Sequence, residues 1–530
     1  MKPSPEQDRL IPFGRVVDPS RDISIAAHRD ATDRMRPICR PEVRPKFQID
    51  ARKSVFVIGS CFARAIEARL RDMGGLVPEF DFRMTAHEWP SLPSNLINKF
   101  TPASIHSEIS WCHRIYVRGD GFQPADAEEL LYDVGNGEVV DGGLMGLRPL
   151  SRERAIERRS ALYDYFRNIF EAEAVVITLG LVECWWDSER RRFIEEVPLA
   201  TPLRSHYAGR IHFYRLDYDR CRALLQETIR LVDSVHHPKK FLITTSPVPL
   251  ARTFTDDDII VANTYGKSLL RTVSGELAER APNVDYFPSY ESVVLTRDWS
   301  VYQDDLRHVS PSAAARVIAQ VMERYFVNVS AAQRDLIASI SAFHDDDVGT
   351  AIELAERSLA AEPASLSGWY HLAQCRQRAG ASVKAVEAWE RVCALAPDNV
   401  LAVHSLAVAH IAAGSPQAGA EVAEAYLSRH PHTPYAELAL AMAYLAAQRF
   451  ADCLAVTERL ASARAATDVC HTVASQAHEA LGDIGAALES ARLAAKFRWQ
   501  SDELKDRVAD LERRLAGAVA DGAPATAPVL

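Results

Sequence analysis

Two short segments hold residue types suited to acyl chemistry. The first is Gly59-Ser60-Cys61, between a β-branched and aromatic run (Ser54 to Ile58) and a stretch with helical spacing (Phe62 to Met73). A nucleophile there meets the free N–H groups and partial positive charge of a helix N-terminus. That setting eases loss of a thiol proton, and the same amides can hold an oxyanion. Alone, Gly-Ser is equally an ordinary turn and helix cap with Cys61 buried beneath it. The second segment is Asp305-Leu306-Arg307-His308, followed by Ser310-Pro311 and a helical run from Ala313 to Tyr325. An Asp three residues before a His can orient the imidazole as a general base. The same tetrapeptide on a surface is a simple ion pair.

The elements that must bring these segments together are strands alternating with helices. Ala174–Leu179 and Phe241–Thr245 read as buried strands like the run before Gly59, and Tyr218 to Val235 is helical before the third. Such alternation predicts a mostly parallel sheet with helices on both faces. Ligands then bind outside the carboxyl ends of the strands, where this chain places Gly59-Ser60-Cys61, Gly180 to Glu183, and Ser246-Pro247. Residues 110–150 read as an excursion, a hairpin or lid, and residues 201–217 as a loop with a short strand. Residues 1–45, rich in Pro and Arg, form an arm, and 46–330 the α/β domain.

A repeat follows over 333–510. Pro363, Pro397 and Pro431 are 34 residues apart, as are Leu372, Leu406 and Leu440, and Ala373, Ala407 and Ala441; Gly380, Gly414 and Gly482 keep the series, with Gln448 between them. This is the tetratricopeptide period: small residues let paired helices approach, and each unit buries its face by stacking on the next. An all-α solenoid is expected, able to dock a protein partner. The last unit lacks the Pro and reads as a cap, and 511–530 as a disordered tail.

Composition sets further bounds. Of 530 residues, 48% are hydrophobic and 25% charged, and the formal net charge is −10. A negative chain without a basic aromatic block is not drawn to nucleic acid. No apolar run is long enough for membrane insertion, and no apolar leader is present. Nine scattered cysteines without metal-type spacing read as reduced, buried side chains, which fits a cytoplasmic protein. His87, His106, His113 and His206 lack metal-type pairing, so no metal is expected. Lys267 and Arg271, one turn apart, can both face an anionic substrate but read first as a solvated helix face that Asn263 caps.

Taken together, Gly-x-nucleophile after the first strand and Asp-x-x-His before the last helix resemble the layout of the SGNH/GDSL hydrolase superfamily. The chain resembles the GSCFA family more closely. That family's pentapeptide stands at Gly59 to Ala63, and similar segments occur at Leu179 to Trp185, Thr245 to Pro249, Ala262 to Ser268, Tyr286 to Tyr290 and Asp305 to His308. The resemblance implies an SGNH-like (flavodoxin-like) three-layer sandwich. It also implies an acyl-transfer enzyme, an O-acyltransferase or ester hydrolase acting on a glycan or related hydroxylated small molecule. With Gly59 matched to the motif Gly, Cys61 falls on the nucleophile, as in similar Gly-Asn-Cys acetyltransferases of capsule polysaccharides. A slip of one residue makes Ser60 the nucleophile. His308 becomes the base and Asp305 its orienter. The superfamily's oxyanion Asn is missing: the corresponding segment is Gly180 to Glu183, and a carboxylate such as Glu183 is no neutral donor, although it can bind a substrate hydroxyl or amine. Asn98 is a substitute donor. No cofactor is required, and a transferase would need an acyl donor such as an acyl-coenzyme A. The alternative is a non-catalytic scaffold that binds a glycan or peptide.

Overall fold

The structure is a computed structural model. It describes residues 35, 38–72, 75–80, 82, 84, 88, 96–146, 148–195, 202–303, 305–463, 465–497 and 501–520. Four strands form one parallel sheet: β1 (Val55–Gly59), β2 (Ala174–Leu179), β3 (Lys240–Thr245) and β4 (Val284–Tyr286), in the spatial order β4-β3-β2-β1. Their residues alternate between two apolar layers. Phe56, Ile58, Val175, Ile177, Phe241 and Ile243 face one core. Val55, Val57, Ala174, Val176 and Leu242 face the other. Burial on both faces explains why the sequence shows continuous apolar runs instead of a polar alternation.

Helices cover both faces. On the first lie α2 (Pro102–Arg118), α3 (Arg152–Phe166), α4 (Tyr218–Asp233) and α5 (Ile259–Arg280); on the second lie α1 (Cys61–Asp72) and α6 (Pro311–Tyr325). Their starts follow capping chemistry. The Ser310 side chain accepts from the Ala313 N–H with Pro311 in the first turn, and Asp258, not Asn263, caps α5. The expected excursion begins later than its composition indicates. Residues 102–118 are the buried helix α2, and the antiparallel hairpin comes after it, at Leu131–Asp133, Glu138–Asp141 and Leu150–Ser151. A second antiparallel unit joins Glu183–Asp187 to Arg192–Ile194 and Ile211–Arg215.

A buried ionic network ties the hairpin to the helices. Lys99 Nζ lies 2.8 Å from Glu108 Oε2 and donates to the Gly143 carbonyl at 2.6 Å. Arg159 bridges Glu108 at 2.8 Å and Asp141 at 2.6 Å. All four side chains are nearly inaccessible. Ion pairs this deep are costly to desolvate and hold only while every partner is present.

From Ala331 on, the described residues form helix pairs. First helices begin at Leu366, Val400, Pro434 and Asp468, and second helices at Ser382, Pro416, Phe450 and Ile484, each 34 residues after the last. The turn between partners needs a left-handed residue. Gly380, Gly414 and Gly482 supply it at φ 71°, 76° and 84°, and Gln448 adopts φ 59° in the one unit without glycine. Ala373, Ala407 and Ala441 are fully buried where the helices meet. A further pair, Ala331–His344 and Val348–Ala361, precedes these, with Asp346 at φ 66° in the glycine position. Leu336 and Ile340 of its first helix belong to the core beneath α1 and α6, so the solenoid grows out of the α/β layer.

The C-terminal end differs from the sequence expectation. Asp502–Ala520 is a helix that starts one period after Asp468, so the tail expected from 511 is helical to Ala520. Leu504 and Leu511 are buried, and Leu511 packs with Leu488 of the preceding helix. The open apolar face of the last pair requires such a cover, so this helix caps the stack, rather than the unit before it. Residues 1–34 and 521–530 lie outside the described residues.

Two outcomes follow from this packing. Arg159→Met leaves Asp141 buried without its cation and Glu108 with Lys99 alone, and should destabilise the α/β part by roughly 3–5 kcal/mol in urea unfolding. A loss under about 1 kcal/mol would mean that water reaches the network. Leu511→Asp should release the capping helix, seen as faster amide exchange over 502–520 with the other helix pairs still protected.

Candidate active site

The three sequence segments converge at the carboxyl ends of β1, β2 and β3. Gly59 ends β1 at φ 143°, and a Cβ there would sit 2.2 Å from the Thr178 carbonyl oxygen, so only glycine allows the two strands to approach. The Ser60 N–H donates to the Thr178 carbonyl at 3.2 Å and lies 3.1 Å from its Oγ1. The Ser60 side chain is almost wholly buried, its Oγ 3.4 Å from Thr178 Oγ1. Cys61 opens α1 and is partly accessible. Both residues line a cavity of about 330 Å³, a size suited to a small-molecule site.

The cavity wall is mainly apolar. Phe100, Leu181, Trp185, Ile194, Val248 and Phe254 contribute most of its large side chains, and Met145 and Gly146 reach it from the loop after the Glu138–Asp141 strand. The Trp185 and Phe254 rings meet edge to face at 5.2 Å.

The two carboxylates of the wall are already engaged. Glu183 accepts from Thr253 Oγ1 at 2.7 Å and from the Phe254 N–H at 3.0 Å, so it pins the loop after β3 across the cavity. Glu195 is buried and accepts from the Phe100 N–H at 3.1 Å. Burial pushes the Glu195 carboxyl up, although Lys99 opposes this.

The expected oxyanion donors are arranged differently. Asn98 is buried and pairs with Gly59 in a parallel bridge, the Lys99 N–H donating to the Gly59 carbonyl at 2.7 Å. Phe100 and Thr101, not Asn98, form the cavity wall at this point. The Asn98 Oδ1 has no hydrogen-bond partner among the described residues. The Gly180 and Leu181 N–H groups both donate to the Phe100 carbonyl, at 3.0 and 2.8 Å. The donors directed at Cys61 are instead the N–H groups of Cys61 and Phe62 in the first turn of α1, which favour its thiolate. Burial outweighs them and pushes the thiol above its ordinary value, with Arg307 and Lys267 pulling it down.

The Asp305–His308 pair forms, and its arginine faces the cavity. His308 Nδ1 lies 2.5 Å from Asp305 Oδ2, and the Asp305 carboxylate also accepts from the His308 and Arg307 N–H groups at 2.9 and 3.0 Å. Burial raises the Asp305 carboxyl, but these bonds outweigh it and hold the carboxyl at about 2. Both side chains are about two-fifths exposed, and among the described residues neither Cys61 nor Ser60 is hydrogen-bonded to His308. Arg307 lines the cavity, its Nε donating to the Pro249 carbonyl at 3.3 Å.

Lys267 differs most from its sequence reading. It is not solvated: it is buried behind the cavity floor, and its Nζ donates to the Gly180 and Ser246 carbonyls, both at 2.8 Å. It therefore clamps the ends of β2 and β3. Burial lowers its ammonium to about 7, while Cys61 acts in the opposite direction. Arg271, one turn on, turns away to pair with Glu291 and stack on Tyr286 at 3.9 Å. Asn263 Oδ1 accepts from the Leu250 N–H at 2.9 Å and so holds the loop after β3. Helical spacing indicated that Lys267 shares a face with Arg271, but not that strand ends cover it.

Among the described residues no group of three or more His, Cys, Asp or Glu side chains could hold a metal ion; His87 lies outside them. No described helix is long and apolar enough to cross a membrane.

Comparison with curated proteins finds no match. Several solved repeat structures are similar in part. The thermophilic TPR protein TTC0263 of Thermus thermophilus is 18% identical, with a TM-score of 0.30, and covers 34% of this chain and 98% of its own. MamA protein is 15% identical, with a TM-score of 0.28, and covers 37% and 98%. A Podospora anserina putative kinesin light chain with TPR-like repeats is 22% identical, with a TM-score of 0.28, and covers 32% and 94%. The GSCFA family profile matches residues 54–324, from just before β1 almost to the end of α6 and just over half of the chain. The match spans the parallel sheet, the cavity and the Asp305–His308 pair, and the chain belongs to the GSCFA family.

Proposed function

We propose that this protein is a hydrolase-like acyl-transfer enzyme with Cys61 as its nucleophile. One observation carries the reading: Cys61 stands at a helix N-terminus in the wall of a mainly apolar cavity. Sγ attacks the acyl carbonyl carbon, and the amides of Cys61 and Phe62 hold the resulting oxyanion. The tetrahedral adduct collapses to a thioester as the donor's C–O or C–S bond breaks. The thiol proton passes to His308 and then to the leaving group. Water, or a hydroxyl of a glycan or related acceptor, then attacks the thioester, giving its proton to His308; the C–S bond breaks, and His308 returns the proton to the Cys61 sulfur. A transferase would draw its acyl group from a donor such as an acyl-coenzyme A. Asp305 fixes Nδ1 of His308, which leaves Nε2 to take the proton. Cys61 is favoured over Ser60 because the Ser60 hydroxyl is buried against Thr178. Glu183 and Asn98 then act as supports, one holding the loop after β3 and the other pairing with the motif backbone. The solenoid docks a protein partner.

A non-catalytic glycan- or peptide-binding scaffold is the second reading. The absence of a hydrogen bond between Cys61 and His308 among the described residues favours it, although catalytic bonds are often long before substrate binds.

The test is hydrolysis of p-nitrophenyl acyl esters. Cys61→Ala should lose the activity, and Ser60→Ala should retain most of it. His308→Ala should fall by roughly 10²–10⁴-fold near neutrality. Equal activity in all variants leaves the binding reading. A pH dependence follows as well. Because burial raises the Cys61 thiol, little thiolate exists at neutral pH, and its alkylation by iodoacetamide should still be rising at about pH 9. The His308→Ala defect should shrink over the same range, since hydroxide then supplies the thiolate without a base. A plateau in alkylation below about pH 8 would show a thiolate already formed.

A further inference from the structure

Two guanidinium groups line the Cys61 cavity without a carboxylate partner. Arg307 comes from the loop before α6, and Arg252 from the loop after β3. Among the described residues neither forms an ion pair; the one hydrogen bond of the Arg307 side chain is that to the Pro249 carbonyl, which leaves its terminal nitrogens free. The cavity's two carboxylates form no ion pair with them among the described residues. Glu183 is spent on Thr253 and Phe254, and Glu195 is buried against the Phe100 N–H. Lys267 lies behind the floor and can only add to the positive side. The rest of the wall is mainly apolar and aromatic, with Ser60, Thr101 and Ser246 as its small polar residues.

A paired arginine is a structural cation, whereas two unpaired ones at one cavity mark the place of an anion. The guanidinium fork matches the oxygens of carboxylate and phosphate groups; Arg252 is exposed, and the partial burial of Arg307 strengthens the attraction there.

We propose that the substrate of this site is an anionic acyl compound: its apolar chain lies against Leu181, Trp185, Ile194 and Phe254, and its carboxylate or phosphate group pairs with Arg252 and Arg307. This rests on the reading that the Cys61 cavity is the substrate pocket, and it adds the charge of what enters.

The test is calorimetric titration of the full chain, at one ionic strength, with hexanoate, hexyl phosphate and hexanol. At least one anion should bind ten or more times more tightly than hexanol, and the stronger of the two identifies the group. The R252Q/R307Q double variant should bring anion and alcohol within about twofold, and R252K/R307K, which keeps the charge but not the fork, should keep part of the preference. Equal binding of all three probes, no binding of any, or an undiminished preference in R252Q/R307Q would overturn the proposal. The outcome is separable from catalysis. Anion binding without acylation of Cys61 removes only the enzyme reading, and acylation without anion preference removes only this one.

Discussion

The contact between Gly59 and Thr178 is the constraint on which the site depends. Strands β1 and β2 close so tightly at their carboxyl ends that no side chain fits at Gly59, and its backbone adopts a conformation that glycine tolerates best. The Ser60 N–H is then held by Thr178, and α1 must begin at Cys61. The thiol is thereby aimed out of the sheet and across a helix N-terminus. On the other side, Lys267 pulls the ends of β2 and β3 together through the carbonyls of Gly180 and Ser246. The cavity floor is thus made of backbone fixed from both sides.

Around this rigid floor the walls are loops, each held by one or two polar contacts. Glu183 and Asn263 fasten the loop after β3, and the buried Lys99–Glu108–Arg159–Asp141 network anchors the loop that carries Met145. Such buried networks are poor stabilisers by themselves. Here they position loops, which have little apolar surface of their own to bury.

Much of this was legible in the sequence, for definite reasons. The strands of the sheet are buried on both faces, so they appear as uninterrupted apolar runs, and β4 was missed because Val284–Tyr286 is too short to form one. The solenoid showed itself through residues with fixed steric tasks, glycine in a left-handed turn and alanine at a helix crossing. Where Asp346 and Gln448 take over the left-handed turn, the repeat is still present but less visible. The capping helix was hidden because its small residues look like a tail, although Leu511 packs against Leu488 of the last pair. Within the site, Cys61, Asp305 and His308 were legible by residue type. That Arg307 would face the cavity was not, since Leu306 at φ 52° breaks any regular order of side-chain directions. The burial of Lys267 was equally hidden, because it depends on strands distant in sequence.

Cys61 as a covalent nucleophile is the central claim, and mass spectrometry of the chain quenched during turnover of p-nitrophenyl hexanoate tests it most directly. One acyl group should appear on the peptide that contains Cys61, as a thioester released by neutral hydroxylamine. Acylation of Ser60 through a hydroxylamine-resistant ester, or turnover with no adduct on this segment, would contradict it.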